Sequence, residues 1–144
     1  MSPPRRTERG AVAVEFAILL PLLVLLIGTV VAGGRLAYTR TMVQHVADAG
    51  DRAASIARDA ATAHRTAVDT VNADADASGI RCAGGLGTTA DTSGFAVAVG
   101  QPAQVAVTVR CTVSMADLLV PGLPGNWSVE ATSTSTLDRY RGRR

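Results

Sequence analysis

Hydrophobic and polar positions fall into three regimes along this chain. The first is almost unbroken apolarity: from Phe16 to Gly34, nineteen residues carry no formal charge. A helix of that length, rising about 1.5 Å per residue, spans most of a hydrocarbon core about 30 Å thick. Counting from Ala11 adds five positions, Glu15 among them. The stretch predicts a transmembrane helix over residues 11–34. Pro21 is compatible with it, because membrane helices tolerate proline where neighbours re-satisfy the backbone, and a kink is expected there.

In the second regime apolar and small residues recur at helical spacing. Leu36, Val43, Val46, Ala47, Gly50, Ala53, Ala54, Ala57, Ala60 and Ala61 form one stripe, close to the i, i+3, i+4, i+7 pattern of an amphipathic helix. A helix is expected over residues 35–78, continuing the membrane helix as one rod. Asp48 and Arg52 stand four apart in the favourable acid-first order, and Arg65 and Asp69 in the reverse order. Gly79 is placed to cap the end.

The third regime alternates. In "QVAVTVRCTV", Val105, Val107, Val109, Cys111 and Val113 share one face, and Ala106, Thr108, Arg110 and Thr112 the other. Period two over such a run predicts a half-buried strand. "FAVAV", Phe95 to Val99, predicts another, with a turn at Gly100, Gln101 and Pro102. "WSVEATSTSTL", from Trp127, predicts a last strand. "RCAGGLGTTADTSG" before them is expected to be a flexible loop. Its glycines do not make a phosphate loop, since no Lys-Ser/Thr follows and no helix opens behind it. "ADLLVPGLPG" is an apolar connector, in which Leu118, Leu119, Val120 and Leu123 are expected to lid the small core or meet a partner. The fold class is therefore α+β: a long N-terminal helix followed by a small antiparallel sheet. The expected organisation is a basic leader over 1–10, the transmembrane helix over 11–34, an amphipathic helix over 35–78, a β domain over 79–138 and a basic tail over 139–144. The tail reads as a solubilising end, with anionic lipid or wall polymer as the alternative contact.

Composition narrows the function. The chain has 144 residues, 3% aromatics and a formal charge of +2, with all its basic side chains from arginine. A core built from Val, Ala and Leu is modest, because small side chains bury little area. A balance so near neutrality argues against nucleic acid as partner. His45 and His64 have no ligand-type neighbour at metal spacing, so no metal site and no cofactor are expected. No Ser-His-Asp, Cys-His or paired-carboxylate signature points to an enzyme. Cys82 and Cys111 in a chain with an export or membrane segment predict one disulfide outside the cytoplasm, closing a loop of about 28 residues; two unlinked buried thiols are the alternative. Arg5, Arg6 and Arg9 precede the apolar segment and place the N-terminus inside, with the C-terminal region extracytoplasmic.

Glu15 is then the anomaly. A carboxylate inside a bilayer costs about 2.5–3.5 kcal/mol on insertion scales, and membrane ionisable groups are functional candidates by default. If the chain is cut after Gly10, Ala11 becomes the N-terminus and Glu15 its fifth residue, followed by Phe16. That order resembles the leader of type IV pilins. More narrowly, Arg9, Gly10, Val14, Glu15, Phe16, Ala17, Leu20, Pro21 and Leu22 resemble the N-terminal motif of the TadE-like family of minor pilins (pseudopilins) of the tight-adherence, or Flp, pilus. The double glycine, Gly33 and Gly34, departs from that family's pattern and is expected to loosen the joint after the helix.

The resemblance implies a pilin-like fold, cleavage between Gly10 and Ala11 by a prepilin peptidase, and recruitment through Glu15 and Phe16. The implied partners are other pilin subunits, an inner-membrane platform, an assembly ATPase and the lipid bilayer. Two other readings stand beside it. One is an unprocessed single-pass envelope protein with an extracytoplasmic binding domain. The other is a secreted domain released by signal peptidase near "VVAGG", for which the apolar run is too long.

Overall fold

The computed structural model describes residues 7–116 and 125–140, the first six of these by backbone alone. Helix α1 runs from Thr7 to Ser55 and α2 from Ala60 to Ala77. Three strands follow: β1, Leu86–Asp91; β2, Gln104–Ser114; and β3, Asn126–Thr136. They form one antiparallel sheet in the order β1-β2-β3. The α+β class expected from the sequence is the one observed.

The rod ends earlier than its apolar stripe predicts. α1 stops at Ser55, whose hydroxyl turns back to donate to the Arg52 carbonyl at 2.8 Å. Asp59 then opens a new helix: its extended backbone is an N-cap, and its carboxylate accepts from the Thr62 N–H at 2.8 Å. That bond holds the Asp59 carboxyl below its ordinary value. α2 doubles back along α1. Gly50 makes the close crossing possible, since a Cβ there would lie 2.6 Å from Val71 Cγ2. α2 is closed off by Gly79, whose φ is +67°. The Ile80 N–H reaches the Ala75 carbonyl and the Gly79 N–H that of Asp76, a Schellman cap.

The core lies between the helix pair and one face of the sheet. α1 covers β2 and β3, while α2 reaches β1. Val105, Val107, Val109, Cys111 and Val113 all point inward from β2 and are buried, as the alternation predicts. They meet Val43, Val46 and Ala47 of α1 and Ala63, Ala67 and Val71 of α2. Each fully buried valine contributes about 1.5–3 kcal/mol, and the alanines let the helices approach the sheet. The outer face is polar. The Thr108 and Thr132 hydroxyls meet at 2.9 Å, and Arg110 grips Glu130 through two bonds of 2.9 and 3.1 Å.

Two expectations are corrected. "LGTTAD", placed in a flexible loop, is β1, an edge strand whose residues alternate between partial burial and exposure. "FAVAV", expected as a strand, instead begins in a 3-10 turn over Ser93–Ala96. Because β1 and β3 flank β2 on its two sides, the central strand offers Phe95–Val99 no free edge. Phe95 enters the core while Val97 and Val99 stay exposed. Just before this turn the Asp91 carboxylate accepts from the Ser93 N–H at 2.9 Å, which lowers its pKa. Gly94 fits there because a Cβ would fall on the Gln104 backbone carbonyl.

A polar joint fixes β3 to α1. Asp51 is buried at 3% exposure and accepts a bond of 2.8 Å from the Ser133 hydroxyl. The same hydroxyl is the first cause holding the Asp48 carboxyl below its ordinary value, with Gln44, Arg52 and His45 acting the same way. Gln44 supplies its amide to Asp48 at 2.8 Å.

Candidate assembly site on the apolar helix

Among the described residues, the first half of α1 stands clear of the core. From Ala13 to Val31 no side chain is buried, and Ala32 is the first that is. Val14, Phe16, Ile18, Leu20, Leu22 and Leu26 are all more than half exposed. The helix is long and apolar enough to cross a membrane. It runs through Pro21 without interruption. The Thr29 hydroxyl is satisfied within the helix, donating to the Leu25 carbonyl at 2.8 Å.

Glu15 sits on this projecting half and is exposed. It makes no hydrogen bond or ion pair with any described side chain. Phe16, 64% exposed, follows it and borders a shallow apolar groove with Leu19, Leu20 and Leu23. Gly10 and Ala11 lie on the helical backbone one turn before Glu15. The structure thus puts Gly10, Ala11, Glu15 and Phe16 on one continuous helix, apart from the folded core. A carboxylate in this setting has two chemical options. It stays at the headgroup level in water, or it meets a cation from another molecule, because an unpaired buried charge is costly.

The two cysteines lie in the folded domain, near the point where α1 joins it. Cys82 and Cys111 form a disulfide with Cα atoms 5.2 Å apart. It ties the α2–β1 loop to the central strand, and the Ala83 N–H adds a bond to the Thr112 carbonyl at 2.7 Å. His45 and His64 are exposed, and among the described residues no cluster of His, Cys, Asp and Glu could hold a metal ion. Leu118, Leu119, Val120 and Leu123 lie outside the described residues, as does the tail beyond Tyr140.

Sequence reasoning missed Asp51, and that the fold brings Arg35 and Arg81 to line one cavity. An acid on the inner stripe of an alanine-rich helix was the available signal for Asp51. Arg35 was visible as the first charge after the apolar run. Arg81 carried no signal, because only the folded loop brings it near α1.

Residues 10–52 match the model of the family described as TadE-like protein. The match covers the apolar half of α1, including Glu15, and the part that packs on the sheet. No curated protein and no solved structure matches the chain.

Proposed function

We propose that this chain, whose residues 10–52 match the TadE-like family, is a pseudopilin of the Tad pilus system: a membrane-anchored structural component of Flp pilus assembly. A prepilin peptidase cuts it between Gly10 and Ala11. The freed ammonium of Ala11 on one subunit pairs with Glu15 of its neighbour, and Phe16 packs beside the pair. The other pilin subunits, the inner-membrane platform and the assembly ATPase are its partners. The N-terminus faces the cytoplasm, and the disulfide-bonded domain lies outside.

The observation that supports this reading is Glu15. It projects from the half of α1 in which no described side chain is buried, and no described side chain neutralises it. Two desolvated charges of opposite sign stabilise each other, while either alone is costly. The pairing therefore selects neighbour and register rather than doing chemistry.

The mature N-terminal residue, read by mass spectrometry from the native host, is the test. Ala11 is expected. Met1 or Ser2 on protein that still assembles would favour the unprocessed anchor, and a start near Gly34 would favour secretion. Glu15→Ala is expected to leave membrane insertion intact and to reduce incorporation into pili or assembly complexes by tenfold or more, because a single charge-assisted pair contributes about 1.5–3 kcal/mol. Normal incorporation of this variant would remove the pairing role.

A further inference from the structure

α2 and β2 both run back toward the apolar half of α1, so their ends gather beside the first residues after Gly34. There they enclose a cavity of about 530 Å³, lined among others by Arg35, Tyr38, Thr39, Arg81, Cys82 and Ser114. Arg35 is the first charged residue beyond the uncharged run. Its Nη1 donates to the Ser114 carbonyl at 3.2 Å, which fixes the guanidinium against the hairpin. Arg81 joins the same lining from the loop that Cys82 clamps to β2. It is exposed and makes no hydrogen bond or ion pair with any described residue.

Among the described residues the lining contains two guanidinium groups and three hydroxyls and no carboxylate. Carbonyls at the end of α2 would repel an anion, but those of Asp74, Ala75 and Asp76 already accept from Ser78, Ile80 and Gly79. Guanidinium groups bind phosphate through paired, charge-assisted bonds. Tyr38 is exposed one turn beyond Arg35, at the depth where tyrosine favours the membrane–water interface.

We propose that this cavity binds the phosphate of an anionic phospholipid headgroup, of the phosphatidylglycerol class, at the membrane surface. The bound headgroup fixes the depth and tilt of the disulfide-bonded domain. This rests on α1 spanning the bilayer and is independent of cleavage after Gly10.

The full-length protein is reconstituted in bilayers of equimolar phosphatidylglycerol and phosphatidylcholine. It is then extracted in neutral detergent, and the retained lipids are counted by native mass spectrometry. Wild type is expected to retain phosphatidylglycerol over phosphatidylcholine by roughly tenfold, the scale of one charge-assisted contact. Arg81→Gln should abolish most of that preference, and Arg81→Lys should restore part of it. Thermal unfolding in phosphatidylcholine should be unchanged in both variants, which separates lost binding from lost folding.

Equal retention of the two lipids by wild type, or an undiminished preference in Arg81→Gln, overturns the proposal. Inorganic phosphate binding equally well to lipid-free protein, with no lipid preference, also overturns it and makes free phosphate the ligand. Flotation with vesicles distinguishes the underlying reading: protein that fails to float with either lipid refutes the membrane anchor itself.

Discussion

Ser133 faces two carboxylates with one proton. It donates to the buried Asp51 and also acts on Asp48. Ser133→Ala therefore leaves Asp51, at 3% exposure, without its hydrogen bond across to the sheet. The expected loss is about 1–3 kcal/mol, the penalty for an unsatisfied buried group. Urea unfolding of the full-length protein in detergent, followed by the fluorescence of Trp127, measures it. The same residue sets part of the acid response. Asp48 titrates below its ordinary 3.8 in the fold, so its ionised form contributes stability above that pH. The contribution is lost as pH falls through the lowered folded value. Ser133→Ala removes the first cause of the depression, so the acid limb of stability against pH should become shallower than in wild type. A parallel limb, merely shifted down, would show that the hydroxyl serves Asp51 alone.

The crossing of α1 and α2 depends on one small side chain. Gly50 brings the α1 backbone onto Val71, with Ala67 and Val107 completing the contact. Gly50→Leu forces the helices apart in a packed core and should cost about 1–3 kcal/mol. A midpoint equal to wild type in the same unfolding experiment would show that α2 can move aside freely. This crossing also explains what the sequence could and could not tell. The alanine stripe announced a helix that packs closely, but not that it folds back on itself. That information sat in Asp59, a good N-cap residue four positions after Ser55, which the continuous stripe overrode. β2 was legible because both neighbours hydrogen-bond to it and one face is buried, which enforces strict alternation. β1 was not, because an edge strand made of Leu, Gly, Thr, Ala and Asp buries too little to reveal a period. "FAVAV" misled in the opposite direction: its local pattern suits a strand, but tertiary pairing left it no partner. The projecting Glu15 was fully legible, since a charge in an apolar run needs no fold to be noticed.

The molecule as a whole has two parts joined through α1, an apolar rod and a small domain whose core is made mostly of valine and alanine. Small side chains limit what burial can contribute, so a covalent tie matters more here than in a richer core. The Cys82–Cys111 bond spans a sequence separation of 29 and encloses β1 and the 3-10 turn within its loop. On the chain-entropy model that closure stabilises by about 3–4 kcal/mol. Replacing both cysteines by serine should therefore lower the stability of the domain by that amount. Trp127 reports it directly, because it pairs with Val113 two residues beyond Cys111. The apolar rod should respond differently. Residues 13–31 make no buried contact with the domain, so their helical circular dichroism in detergent should survive when the Trp127 transition has moved to lower denaturant. Loss of both signals together would mean that the rod depends on the domain for its structure. An unmoved Trp127 transition would mean that β1 and its loop are held by packing alone.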